Sequence, residues 1–289
     1  MGGLTLAVSA RRPTPYLRAP AFLRPFLAER GGDIRLDYTE DPVPPFAGAP
    51  LLFDSGSVWK VYRRPPGLLY TFESPAADPP LYKAVAIDSR LARGTLYFPP
   101  PAPATRRPLF AAAYPLDDLL FQHRLARDGA AEVHACGVVL GGRVALFCGE
   151  SGAGKSTLAR LFSRHLPGAP ILSDDRIVLR RRGGRVWAWG TPWHGDAAFA
   201  RPGAWPLGAV FFLEQAGETS VRRLGAAAAA ARLFARTFPP PWDGAAVGRV
   251  LGLCSFVGEC IPAFTLRFRR DHSVVAAVRE ALRATGVPA

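Results

Sequence analysis

Lysine is nearly missing from this chain. Lys60, Lys83 and Lys155 are the only three, and the other 33 basic residues are arginine. No apolar run reaches the roughly 18 residues that a membrane helix needs. Residues 251–266 come closest, but Glu259 and Pro262 interrupt them, so no membrane partner is expected. The four cysteines (Cys136, Cys148, Cys254 and Cys260) include no Cys-x-x-Cys pair. That spacing excludes the common zinc motifs and argues against a disulfide framework; the thiols read as small buried hydrophobes. The N-terminus lacks the basic start and long apolar core of a secretory signal. Leu6 stands where a myristoylation pattern needs Ser or Thr. A cytoplasmic location is the expectation.

What is present is a globular composition. The 289 residues are 49% hydrophobic and 20% charged, enough to bury a sizeable core in one large domain or two smaller ones. The net charge is +13. It is spread, with 14 basic and 9 acidic residues over 1–112 and 22 and 14 over 113–289. With no basic arm and no base-reading motif, nucleic acid is not the expected partner. An acidic partner or a phosphorylated ligand also suits the balance.

Residues 1–112 are Pro-rich and read as strands and turns, a β-rich accessory domain. Residues 57–63 alternate polar with large apolar side chains, the period of a half-buried strand. Residues 68–72 and 81–87 are further strands, punctuated by Pro65-Pro66-Gly67 and Asp78-Pro79-Pro80. Pro99-Pro100-Pro101-Ala102-Pro103 reads as a stiff connector. The second domain, 113–289, opens with a helix whose first turn carries Asp117 and Asp118, where the helix dipole favours negative charge. Strands are expected over 138–140 and 144–148, a Gly183-Gly184 hairpin over 177–190, a strand over 209–213, and helices over 226–234 and 273–284.

The sequence from Gly149 to Thr157 is Gly-Glu-Ser-Gly-Ala-Gly-Lys-Ser-Thr. It satisfies the P-loop pattern, with an apolar strand before it and an amphipathic helix after it. Gly149, Ser151, Gly152, Ala153, Gly154, Lys155, Ser156 and Thr157 are the expected nucleotide-binding residues. Glycines let backbone N–H groups face phosphate oxygens, and the helix N-terminus adds partial positive charge. Lys155 reaches the β- and γ-phosphates of ATP, and Ser156 ligates Mg²⁺.

Asp174 and Asp175 lie in the apolar run 171–178, read as strand-like. Two buried neighbouring carboxylates repel unless a metal, protons or partners compensate. Asp174 is assigned toward the metal and Asp175 as base, roles that the spacing leaves exchangeable. His134 sits fifteen residues before Gly149. The loop Gly190-Thr191-Pro192-Trp193-His194-Gly195-Asp196 reads either as a binding loop offering His194 and Asp196 or as a tight turn around Trp193. Arg236 is a further candidate to face substrate.

His134, the loop 149–157 and Leu-Ser-Asp-Asp-Arg-Ile (172–177), in this order, resemble the HPr kinase/phosphorylase family. The resemblance covers about 130–270. It implies an α/β fold, a P-loop kinase core of the PEP-carboxykinase/HPr-kinase type, here with an N-terminal β-rich subdomain. It also implies Mg²⁺- and ATP-dependent transfer of phosphate to a serine hydroxyl, with Asp175 as base, Asp174 as metal or orienting partner and His134 beside Asp175. Two departures point away from phosphorolysis and from HPr as substrate. Thr157 stands where the bifunctional enzymes usually carry Glu, and their Glu-Ile-Arg-Gly-type segment is not recognisable. The chain is more similar to divergent relatives, some of which phosphorylate serine on ribosomally made peptides such as lasso-peptide precursors. The expected partner is therefore a peptide or protein carrying serine. The alternatives are a small-molecule alcohol kinase, such as a free-serine kinase, and a non-catalytic nucleotide-binding regulator. Kinases of this kind often form homo-oligomers, but no periodic apolar surface assigns a state to this chain.

Overall fold

The computed structural model describes residues 1–75, 80–99 and 110–287. The turn residues Asp78 and Pro79 and the connector residues 100–103 lie outside the described residues. The chain divides into two compact units, one of Gly3–Arg124 and one of Leu125–Ala289 with Met1–Gly2.

The first unit holds a seven-stranded sheet. Its strands are β1 (Leu6–Ala10), β2 (Ile34–Thr39), β3 (Leu51–Asp54), β4 (Trp59–Arg64), β5 (Gly67–Glu73), β6 (Leu81–Asp88) and β7 (Arg93–Tyr97). Their order is β1-β2-β7-β6-β5-β4-β3. The pairs β1/β2 and β2/β7 are parallel and the rest antiparallel. In β2 the period-2 rule is plain: Ile34, Leu36 and Tyr38 are buried, while Arg35 and Asp37 face solvent. In β5 Leu69, Tyr70, Thr71 and Phe72 are all buried, so alternation fails where both faces are covered.

The division falls inside helix α1 (Leu116–Arg127), twelve residues after the expected boundary at 112. Buried polar contacts explain why the start of α1 belongs with the sheet. The Tyr70 hydroxyl meets His123 Nδ1, and Lys83 Nζ donates to the Ala113 carbonyl at 3.0 Å. Lys83 is fully buried, 4.7 Å from the Phe72 ring centre. Burial drives its pKa down to about 7 against the opposing pull of Asp117. Burial drives Asp117 up to about 7.

A test of this follows from linkage. A lysine whose folded pKa is depressed gives its full stability above the unfolded value near 10.5 and loses it as pH falls toward 7. Asp117 has a raised pKa, so its own contribution is lost as pH rises through about 7 and is already spent above that. Lys83→Met should therefore gain on the order of 2 kcal/mol at pH 8 and flatten the rise in stability between pH 8 and 10. Urea unfolding at both pH values measures it. A variant that is less stable at pH 8 and keeps the wild-type slope contradicts the assignment.

The second unit is mixed α/β. It contains β8 (Ala130–Leu140), β9 (Arg143–Cys148), α2 (Lys155–His165), β10 (Ile171–Ser173), β11 (Arg176–Arg182), β12 (Arg185–Gly190) and β13 (Ala204–Gln215). These are followed by β14 (Ser220–Arg223), α3 (Ala226–Phe234), α4 (Gly244–Cys260), β15 (Ala263–Phe268) and α5 (Ser273–Ala284). Strand β9 runs parallel to β13, and β13 parallel to β15. The long strands β8 and β13 each pair on both sides, so hydrogen bonding closes a ring through β8, β11, β12, β13 and β9. Alternation along β9 feeds two cores. Val144, Leu146 and Cys148 pack with Leu233, Val250 and Val257 of α3 and α4. Ala145 and Phe147 pack with Leu158, Phe162, Val278 and Leu282 of α2 and α5.

One expectation is corrected here. The run 171–178 is not one strand: it breaks into β10 and β11, and both aspartates lie in the turn between them. Residues 251–266 are the end of α4 followed by β15. Helix α4 is not evident in sequence because Gly244, Gly248, Gly252 and Gly258 lower its propensity. Its start is set by Asp243, whose carboxylate accepts from Ala246 N at 3.1 Å. Among the described residues no helix is long and apolar enough to cross a membrane. All four cysteines are free. Cys136, Cys148 and Cys254 are buried, and Cys260 is exposed.

Candidate active site

Strand β9 delivers the chain into the glycine-rich loop at the end of the parallel strands. The turn demands glycine at Gly154, which caps α2 with φ +105°, and whose absent Cβ would sit 2.8 Å from the Phe268 ring. Gln215 ties the loop to β13 by donating to the Gly152 carbonyl at 2.6 Å. Lys155, the first residue of α2, folds its ammonium onto the loop's own carbonyls, Gly149 O at 3.0 Å and Glu150 O at 2.9 Å. Burial holds its pKa below the ordinary lysine value, although the Asp175 charge pulls the other way.

Ser173 makes the turn that separates the two aspartates. Its hydroxyl accepts from Asp175 N and Arg176 N, both at 3.0 Å, and donates to Trp193 O at 2.8 Å. Asp174 then points into the loop 195–199. It is 1% exposed and accepts four hydrogen bonds. Gly195 N (3.0 Å) and Phe199 N (3.2 Å) donate to Oδ1; Ala197 N (2.9 Å) and Ser156 Oγ (2.8 Å) donate to Oδ2. Those four donors fill the usual acceptor sites of a carboxylate and compensate its burial without a second charge. Gly195 leaves no room for a side chain: a Cβ there would lie 2.9 Å from Asp174 Oδ2.

Asp175 is half-buried and lines the cavity beside the loop. Its Oδ1 lies 3.1 Å from His134 Nδ1, and its Oδ2 lies 3.4 Å from Arg176 Nε. Burial raises its pKa, but the His134 hydrogen bond and charge, with Arg176, outweigh it and hold the carboxyl below the ordinary range. The register of β8 on β11 sets His134 directly opposite Arg176. Sequence reading missed Glu132, two residues before His134, whose fully buried carboxylate pairs with Arg176 Nη1. The available signal was an acidic residue two places before His134 in a strand whose remaining residues are apolar or glycine.

Lys155, Ser156, Asp174, Asp175, His134 and Asp196 line one cavity of about 300 Å³, with Ser151, Gly152, Gly154 and Thr157 on its loop side. Arg160 and Arg270 stand at the same cavity. A neighbouring cavity of about 660 Å³ is bounded by Gly149, Ala153, Phe212, Glu214, Arg232 and Arg236. Arg236 therefore sits beside the loop rather than in the cavity of the aspartates. Its Nη2 bonds Glu150 at 2.9 Å. His194 lines neither cavity; it is exposed, with Nδ1 3.0 Å from the Gly195 carbonyl. The loop 190–196 joins the site through Gly195 N on Asp174, the Asp196 carbonyl on Arg160 (2.7 Å) and the Thr191 hydroxyl on the Arg176 carbonyl (2.7 Å).

The second unit is thus a mixed α/β body in which a strand, a glycine-rich loop and a helix face a pair of aspartates. The sequence matches no family model and no curated protein. Among solved structures it is similar to the HPr(Ser) kinase/phosphatase from Coxiella burnetii. Identity is 13% and the TM-score 0.32, over 54% of this chain and 90% of that one. A likeness of that size assigns no role to any residue here.

Proposed function

We propose that this chain is an ATP- and magnesium-dependent kinase that phosphorylates a serine hydroxyl on a peptide or protein. One observation carries the reading: a half-buried carboxylate, Asp175, shares a cavity with the lysine and serine of a glycine-rich loop at a helix N-terminus. The pairing of a phosphate cradle with a candidate proton acceptor is what phosphoryl transfer needs, since the reaction depends mostly on positioning and charge. Lys155 exchanges its two loop carbonyls for β- and γ-phosphate oxygens. The acceptor oxygen bonds to the γ-phosphorus as the bond to the bridging oxygen breaks. ADP leaves, and the hydroxyl proton passes to Asp175.

The donor set fits magnesium in a particular way. Ser156 donates its proton to Asp174, so its oxygen would be free to accept a magnesium ion. Asp174, with its acceptor sites occupied, would orient Ser156 and add negative charge near the ion. A bound magnesium ion would neutralise phosphate charge. Among the described residues no three His, Cys, Asp or Glu side chains gather to hold a metal alone, and ATP phosphates and water would complete the coordination. The cytoplasmic setting expected from sequence belongs to the same reading.

The test is transfer from γ-labelled ATP with Mg²⁺ and a lysate of the protein's own host. Label on a polypeptide, dependent on added protein, is the expected result. Label confined to small metabolites would replace the acceptor with a free alcohol such as serine. No transfer, with salt-sensitive binding to generic DNA, would favour a non-catalytic regulator.

A further inference from the structure

The catalytic carboxylate proposed above is held by a chain of groups that runs back into the sheet. Glu132, His134 and Arg176 share one sheet face, because His134 pairs with Arg176 across β8 and β11 and Glu132 lies two residues along β8. Glu132 has no exposed side-chain surface, so it is a fixed point. Arg176 bonds it through Nη1 and reaches Asp175 through Nε. The guanidinium plane lies over the Phe238 ring, 4.5 Å from its centre. The His134 ring meets the same phenyl edge-on at 6.2 Å. Phe238 is itself fixed along β8. Its N donates to Glu132 O at 3.3 Å, His134 N donates to Arg236 O at 2.8 Å, and Val133 and Thr237 form a bridge.

We infer that Glu132 and Arg176 are positioning residues that lock the orientation of Asp175. This rests on the kinase reading for its catalytic meaning, and on geometry alone for the lock. A carboxylate with one donor can turn about its terminal torsion. With His134 on Oδ1 and Arg176 on Oδ2 it is pinned at both oxygens. Arginine suits the task because its planar fork can serve two carboxylates at once, which a lysine ammonium does not do in fixed geometry. Pinning has a second effect. The Asp175 charge already acts on Lys155, and an untethered Asp175 would be drawn onto that ammonium and compete with phosphate.

The experiment uses the full chain and three variants: Arg176→Met, Glu132→Gln, and the double Glu132→Met/Arg176→Met. Three readouts are taken. They are binding of a fluorescent ATP analogue with Mg²⁺, transfer from γ-labelled ATP into the host lysate, and the His134 ring signals in an NMR spectrum at one pH. The single variants should bind the analogue within about twofold of wild type, lose about 10²-fold in transfer, and shift the His134 signals. Removing one partner of a buried pair can unfold a protein, whereas removing both is tolerated far better. The double variant therefore separates the roles. If the pair only stabilises the fold, the double variant regains wild-type transfer and wild-type His134 signals, and the inference is overturned. If the pair positions Asp175, it folds yet stays slow and keeps the shifted signals. Should the wild type itself transfer no label, the kinase reading fails, and the His134 signals alone still decide the lock.

Discussion

Asp175→Asn should bind MgATP as the wild type does and transfer its γ-phosphoryl group about 10²- to 10⁴-fold more slowly, the usual contribution of a positioned acid or base. Asn keeps the size and one acceptor oxygen but cannot take a proton. The phosphate-facing groups, Lys155 and the loop N–H donors, are untouched. The pH dependence has a definite sign. His134 and Arg176 hold the Asp175 carboxyl below the ordinary aspartate range, so the carboxylate form persists through neutral and mildly acidic pH. Transfer carried by Asp175 is then lost only as pH falls through that lowered value. A group depressed in this way also contributes stability above its unfolded pKa and loses it in the same acid window. Label transfer from γ-labelled ATP should be flat in its Asp175-dependent part from pH 5 to 8, and that scan, beside equilibrium binding of a fluorescent ATP analogue, is the check. Wild-type turnover in Asp175→Asn would remove that residue from the mechanism.

The largest effect on folding should come from Asp174→Ala, a loss on the order of 3–5 kcal/mol. Three backbone N–H groups, Gly195 N, Ala197 N and Phe199 N, and the Ser156 hydroxyl all converge on this one side chain. Alanine strands them together, and the loop 195–199 loses the group that folds it. Asp174→Asn is milder, but not harmless. Whichever way the amide is turned, its NH₂ faces donors instead of accepting from them. Urea unfolding measures the loss, and limited proteolysis should cut first within 195–199. The same variant should lose the Mg²⁺ dependence of ATP-analogue binding, since Ser156 would no longer be oriented. An unchanged unfolding midpoint would mean that the loop is held by something other than Asp174.

Much of the local structure was legible because it rests on near neighbours. Helix α5 spans the expected 273–284, and the Gly183-Gly184 hairpin joins β11 to β12. Both are short-range patterns, a 3.6-residue apolar stripe and a glycine turn. The glycine-rich loop between an apolar strand and an amphipathic helix is of the same kind. Helix α4 was not legible, because four glycines lower its propensity, and only Gly258 is placed by close packing, against the Ala226 carbonyl. Helix α1 lies where its pattern places it, but its membership in the first compact unit was not legible, for another reason. Lys83, Tyr70 and His123 are far apart in sequence, and only folding brings these buried polar groups together.

The candidate site divides along the same line. Sequence alone determined which residue types were on offer: a loop able to cradle phosphate, a lone lysine at its end, two adjacent aspartates and an upstream histidine. Spacing left the two aspartates interchangeable, because neighbouring side chains in an assumed strand point to opposite faces without saying which face is which. The tertiary structure separated them. The Ser173 turn sends Asp174 into a shell of four donors and leaves Asp175 at the cavity, paired with His134. It also recruited Glu132 and Arg176, which meet only because β8 and β11 are in one register. Burial and hydrogen-bond saturation depend on groups distant in sequence, and those are set when the strands pair.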